Sequence, residues 1–373
     1  MKKSQPEVLI VGAGPVGLLT AIELKRRGIH PRIIDKGMGL RAYSRALNIN
    51  ARSLEILEPS GVAHKLLARG NRLRRTYLVE DGKTTLTLRI EALRHRYPFT
   101  LVIPQTVTEM LLYETVIDLG LAVEWNTELM ELSFSGRIAT AALVTADSAQ
   151  YVTPDYLIAA DGARGCVRKF AGMDLSGKIH PMVFALADIR YRIPRDPSFA
   201  TIELLRGGAI ASFPIDAHVS RHIGTSDKVI STIRQRRADN HILWSAEFHV
   251  NLGCARDMRH GNVYLAGDAA HISSPVGARG MNLGFEDAAW LAWLIAKGKA
   301  EERYAKERLP VARRVIDFTR RQTYQLFESS GRVQKFTRRY LASPLFSVPL
   351  VEQTALRSLA GLDTPDPPWL KRG

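Results

Sequence analysis

The stretch VLIVGAGPVGLLTAIELKRRG, Val8 to Gly28, decides how the rest of the chain is read. Glu7–Val11 is a short apolar run with the character of a buried strand. Gly12, Gly14 and Gly17 follow as a turn, and Leu18–Arg27 has the composition of a helix, with Gly28 in the usual terminating position. Pro31–Asp35 is a second strand, completing a β-turn-α-β unit of about 30 residues, the size a dinucleotide site requires. Gly12 permits a sharp exit from the strand. Gly14 lets the backbone approach a pyrophosphate with no Cβ in the way, and Gly17 lets the helix lie close to the strand. The helix start offers free N–H groups and a partial positive charge to phosphates. Asp35 is placed to accept hydrogen bonds from both hydroxyls of an adenosine ribose. The competing reading is a glycine-rich packing turn, which does not explain the acid. These residues leave FAD, NAD and NADP open.

The composition is that of a folded protein: 373 residues, 46% hydrophobic and 24% charged, enough for two or three domains. Lys and Arg exceed Asp and Glu by 52 to 37, a net charge of +15. Such a balance suits nucleic acid, an anionic membrane surface or acidic small molecules. No basic block is interleaved with aromatic residues, so nucleic acid is not expected. Cys166 and Cys254 are too few for a disulfide framework or zinc cluster and read as reduced thiols. No metal site is expected: His218 and His222 are four apart, but in strand and loop surroundings. The basic start MKKSQPE precedes a run broken by Gly and Pro, so no signal peptide is expected. No run reaches the ~18 apolar residues of a membrane span, and a cytoplasmic location is expected.

Further along, Asn50–Glu58 reads as a helix closed by Pro59 and Gly61. Arg72–Ile90 alternates around an Asp81-Gly82 turn as a hairpin. Leu101–Ile103 is a strand, Gln105–Leu119 an amphipathic helix, and Tyr156–Ala160 a buried strand. Between Met182 and Asn251 alternating segments predict a mainly antiparallel sheet. Asn262–Ala266 returns to strand, with a helix from about Met281. Beyond Ala300 an arginine-rich helix is expected, with a solvated basic face or, as the rival reading, a membrane-docking patch. The proline-bearing tail Asp363–Trp369 is expected to be loose.

Two distant stretches narrow the choice of dinucleotide: DYLIAADGARGCVRK and GNVYLAGDAAHISSPVGARGMNLGFEDAAWLAWLI. In the second, a strand leads into Gly267-Asp268, whose carboxylate can meet a ribityl or ribose hydroxyl. The glycine-rich loop Pro275–Gly280 then opens a helix with apolar residues at helical spacing. A backbone-lined loop and helix start can hold the negative charge of a reduced flavin.

With the first glycine turn, these stretches resemble the class A flavoprotein monooxygenases, the family of para-hydroxybenzoate hydroxylase and phenol hydroxylase. The likeness covers the motif-bearing parts of residues 7–320. It implies an α/β fold: a Rossmann-like, glutathione-reductase-like FAD-binding domain with an inserted, mainly antiparallel β-sheet substrate domain and C-terminal helices. The expected division is 1–74, 101–180 and 256–320 for FAD, 75–100 and 181–255 for substrate, and 321–373 as a C-terminal segment.

Carried over by position, Gly12, Gly14, Gly17 and Asp35 match the FAD pyrophosphate and ribose contacts. Arg45 and Gln105 match two further cofactor contacts. Asp161, Gly162 and Arg168 match the motif implicated in FAD and NAD(P)H binding, although Gly165 stands where many relatives have serine. Gly267 and Asp268 match the second ribose-binding turn. Pro275, Gly277, Gly280, Met281 and Asn282 match the loop lining the isoalloxazine ring, with Pro275 the nearest approach to a catalytic residue. The resemblance implies FAD as cofactor, NADPH or NADH as cosubstrate, and hydroxylation of an aromatic, phenol-like or polycyclic substrate with dioxygen through a flavin hydroperoxide. A monomer or homodimer is expected. No base that deprotonates the substrate is assigned; His218, His222, Tyr191 and Arg221 in the sheet domain are candidates for it, with a structural or solvated role the favoured reading of each. The rival functions are a flavin-dependent reductase or dehydrogenase of an isoprenoid lipid, a halogenase, and a flavin-holding protein without turnover.

Overall fold

In the computed structural model, the apolar segments read as strands lie side by side; the structure describes residues 7–42, 46–205, 208–225, 227–229, 231, 240–324 and 349–370. Val8–Val11 pairs in parallel with Tyr156–Ala159 on one side and Arg32–Ile34 on the other. Val263–Leu265 and Val123–Glu124 extend the sheet in parallel, and Arg259–His260 closes one edge antiparallel. Leu9, Ile10, Leu157, Ile158 and Leu265 are buried. Burial on both faces is why these strands are continuous apolar runs and not alternating ones.

The first helix spans Pro15–Lys25, starting three residues earlier than Leu18 because Pro15 suits a first turn whose N–H has no partner to lose. Gly28 follows with φ +82°. Gly12 has φ +108°, and a Cβ on it would fall 2.4 Å from the Ala160 carbonyl oxygen. A Cβ on Gly17 would fall 1.9 Å from the Gly12 oxygen. Strand, helix and the exit of the neighbouring strand therefore meet backbone to backbone.

The second sheet has eight strands. Its order runs His271–Ile272, Asn240–Ala255, Leu175–Tyr191, Val219–Thr225, Gly208–Pro214, Phe199–Leu205, Arg75–Glu80 and Lys83–Arg89. Every pairing is antiparallel except Phe199–Leu205 against Arg75–Glu80. The hairpin turns at Asp81 and Gly82, both with positive φ (48° and 74°), the conformation a two-residue hairpin loop favours.

The helix Ala300–Thr323 shows Arg313, Arg314, Arg320 and Arg321 to solvent, as expected of a basic face, but Arg308 points inward and is fully buried. The tail expected to be loose is packed. The helix Pro349–Leu359 and the turn after it place Leu356 and Leu362 in a core with Leu73, Ile90 and Val102. The Trp369 ring lies 5.5 Å from Trp290 and 5.7 Å from Trp293, and Asp366 pairs with Arg52 at 2.6 Å. Indole area and a charge partner outweigh the prolines, which restrict the backbone without exposing it.

Replacing Gly17 with alanine should force the helix off the strand. We expect a loss of about 1–3 kcal/mol, read as a lower urea midpoint. An unchanged midpoint would refute this close packing.

Candidate functional site

Four neighbouring parallel strands end at one edge of the first sheet, and the motifs begin there. Val8–Val11 leads to Gly12, Arg32–Ile34 to Asp35, Tyr156–Ala159 to Asp161, and Val263–Leu265 to Gly267. In open α/β sheets this carboxyl edge is where ligands bind. A Cβ on Gly14 would meet nothing within 4 Å, so open space faces the start of the first helix, where no side chain caps the N–H groups. This cradle fits a pyrophosphate. Asp35 accepts from the Ala13 N–H at 2.7 Å and the Gly37 N–H at 2.8 Å, one bond per oxygen, which leaves each oxygen a lone pair.

Asp161 accepts from the Val167 N–H at 3.0 Å, and its other oxygen is buried without a partner. Burial raises its pKa against the pull of Arg168. A Cβ on Gly165 would lie 2.0 Å from the Asp161 carboxyl carbon. The departure from serine thus makes room for this carboxylate to fold over its own loop. Gly162 turns the chain with φ +78°. Arg168 is buried and donates to the Ala269 carbonyl at 2.8 Å, stitching this turn to the Gly267-Asp268 turn. Gln105 accepts from the Ala46 N–H at 3.3 Å and donates to Glu109 at 2.6 Å. Arg45 lies outside the described residues.

The Pro275–Gly280 loop runs into the helix Gly280–Ala296. Gly277 and Ala278 are successive left-handed residues, φ +83° and +51°. Asn282 fixes the loop: its amide donates to the Ala278 carbonyl at 2.7 Å and the Asn48 carbonyl at 2.9 Å, and accepts from the Asn50 N–H at 3.0 Å. Pro275, Gly277, Gly280 and Met281 are half-buried and Asp268 is exposed, an accessible lining on a fixed base.

Beneath the loop is a charge network that sequence reading missed. Asp287 is fully buried and accepts from the Gly267 N–H (3.2 Å), from His271 Nε2 (2.5 Å) and from Arg308 Nε (2.8 Å). Arg308 also reaches Glu286 at 3.2 Å. Burial pushes the Asp287 pKa up, but His271 and Arg308 overcome it and the net shift is down. The available signal was an acidic pair, Glu286-Asp287, inside an apolar helix, which requires a buried cation opposite.

Of the four polar candidates, Arg221 reaches beyond the second sheet. Arg221, buried, makes a bidentate pair with Asp188 (2.7 Å twice) and extends to the Ala46 carbonyl at 3.4 Å. Its neighbour His222 points to the opposite face, bonded to Tyr191 Oη at 2.6 Å and Ser212 Oγ at 2.7 Å. His218 sits in a turn, its N–H bonded to Asp216. A surface hollow of about 470 Å³ between Arg26, Arg27, Pro59, Trp293, Lys297 and Trp369 lies at the other ends of these helices. Its cations complement helix C-termini.

Asp287→Asn turns an amide N–H₂ towards donors and leaves Arg308 or His271 unmatched. The expected cost is about 3–5 kcal/mol, measured by denaturant unfolding. Because the native pKa is depressed, this contribution is present above about pH 4 and lost as pH falls through the native value. An Asn variant as stable as wild type at neutral pH would refute the network's role.

A family model described as FAD binding domain matches residues 5–206 and 224–319. The chain is 34% identical over 347 residues to 6-methylpretetramide 4-monooxygenase of Streptomyces rimosus, covering 85% of this chain and 62% of that protein. It is 33% identical to pentachlorophenol 4-monooxygenase of Sphingobium chlorophenolicum over 84% of this chain and 63% of the relative. It therefore spans about three-fifths of the length of these two relatives. Among solved structures, an anhydrotetracycline hydroxylase from Streptomyces rimosus superposes with TM-score 0.80 at 27% identity, over 98% of this chain and 77% of that one. The p-nitrophenol 4-monooxygenase of Pseudomonas putida DLL-E4 superposes with TM-score 0.85 at 20% identity, over 95% and 98%, which shows a shared fold. Three separated motifs brought to one sheet edge and this match over most of the length make one statement: the chain belongs to the FAD binding domain family.

Proposed function

We propose that the protein is an FAD-dependent monooxygenase that consumes NADPH or NADH and dioxygen to hydroxylate an aromatic or polycyclic, phenol-like substrate. The observation that carries this reading is the convergence of Gly12, Asp35, Asp161 and Gly267 on one sheet edge, with the Pro275–Gly280 loop beside them and the second sheet's Arg221 reaching across. The names of its relatives, which include monooxygenases of tetracycline intermediates and of pentachlorophenol, support the substrate class.

In this reading the Gly12–Gly17 turn and its helix hold the pyrophosphate, and Asp35 holds the adenosine ribose through its remaining lone pairs. Asp268 faces the second set of hydroxyls. Pro275, Gly277, Gly280, Met281 and Asn282 would line the ring with backbone, and the residues after Pro275 would turn N–H groups to where negative charge collects on reduction. Bound FAD supplies hydride acceptance and oxygen activation, and the protein supplies orientation and shelter from water. Arg221 is held rigid by Asp188 and orients substrate polar groups between the sheet and the loop. Arg168 acts through the Ala269 carbonyl, aligning two cofactor turns. Among the described residues no helix is long and apolar enough to cross a membrane, and both cysteines are free. Action in the cytoplasm as a monomer or homodimer accords with both.

The purified protein should be yellow, with an absorbance band near about 450 nm after FAD reconstitution. In a panel of phenols and polycyclic polyketides, a true substrate should stimulate NADPH or NADH oxidation and emerge one oxygen atom heavier. A product two hydrogens lighter would indicate a dehydrogenase. No stimulation by any compound would indicate a flavin-holding protein.

A further inference from the structure

The Pro275–Gly280 loop carries one charged side chain, Arg279, and that side chain is almost wholly buried. Its partners come from the far end of the chain. Nη1 donates to the Ser358 carbonyl at 2.5 Å and pairs with Asp363 Oδ1 at 2.9 Å. Nε and Nη2 have no hydrogen-bond partner, so Asp363 is the carboxylate paired directly with this guanidinium, with Glu286 acting on it at longer range. The corner is itself pinned. The Arg52 N–H donates to the Ala360 carbonyl at 3.0 Å, Arg314 donates to the Asp363 carbonyl at 3.0 Å, and Arg52 pairs with Asp366. A Cβ on Gly361 would fall 2.6 Å from Asn50 Nδ2, so the turn sits tightly on the start of the helix Ala51–Leu57.

The residue before Arg279 is the strained one. Ala278 holds a left-handed conformation that is unfavourable for a non-glycine residue, and such strain persists only where surrounding contacts over-determine it. Asn282 grips the Ala278 carbonyl from one side, and the Arg279 side chain anchors the next residue from the other.

We infer that Asp363 is a positioning residue: through Arg279 it sets the conformation of the loop that lines the flavin. This rests on the functional reading for its link to flavin, whereas the hold on the loop is a property of the chain alone. Asp363 stands 33% exposed at its side chain, so its pull on Arg279 is partly screened and a moderate effect is expected.

The test uses the full chain with three substitutions and two readouts. Asp363→Ala should weaken FAD binding about tenfold by fluorescence titration and change the visible circular dichroism of bound flavin. In the apoprotein it should also make the bond after Arg279 a trypsin site, because trypsin cuts there only when the buried side chain is released. Asp363→Asn should fall between wild type and alanine, since its amide oxygen still accepts from Nη1. Glu352→Gln loosens the same segment at a different anchor, the Arg89–Glu352 pair. It should lower the melting temperature while leaving FAD affinity within about twofold and Arg279 protected. The inference falls if Asp363→Ala keeps both wild-type FAD binding and protection at Arg279, or if Glu352→Gln reproduces its effects. Cleavage after Arg279 in a protein whose wild type binds no FAD would uphold the hold on the loop and overturn the functional reading.

Discussion

The Asp287 carboxylate is the point from which the rest of the site is held. It is buried, and its donors come from three parts of the chain: the Gly267 turn, the strand residue His271 and the long helix through Arg308. A lone carboxylate in this position would be driven neutral by desolvation. Two cationic or potentially cationic partners and a backbone N–H keep it ionised, and in return it fixes where the turn after Val263–Leu265 points. Glu286, one residue away, shows the contrast. It shares Arg308, but burial wins and its pKa rises. The same guanidinium thus serves one carboxylate as a full counter-ion and the next only in part.

The parallel sheet was legible because its determinants are local. Glycines at fixed offsets, an acid at the end of the second strand and continuous apolar runs admit few arrangements, and the strands from Val8, Arg32, Tyr156 and Val263 formed where they were read. The hairpin and the helix from Gln105 were legible for the same reason. What escaped depends on partners remote in sequence. Nothing near Arg308 distinguishes it from the solvated arginines around it; only Glu286 and Asp287, about twenty residues earlier, do. The tail was misjudged because prolines describe its backbone, while its fate is set by Trp290, Trp293 and Arg52. Arg279 was not singled out within the glycine-rich loop, because its partners Ser358 and Asp363 are remote in sequence.

The second sheet shows how strand alternation divides labour between adjacent residues. Arg221 and His222 are neighbours, yet one reaches the Ala46 carbonyl and the other closes a Tyr191–His222–Ser212 chain on the opposite face. A histidine with both ring nitrogens engaged inside a sheet serves cohesion between strands. The paired arginine on the other face is fixed by Asp188 and reaches beyond its own sheet.

The Arg52–Asp366 pair joins residues 314 positions apart, and the Pro275–Gly280 loop is held by the same corner through Arg279 and Asp363. During synthesis the Gly12–Gly17 turn leaves the ribosome long before Asp363 and Asp366. A chain interrupted between Thr323 and Asp363 would carry every motif and lack the ion-pair partner of Arg279.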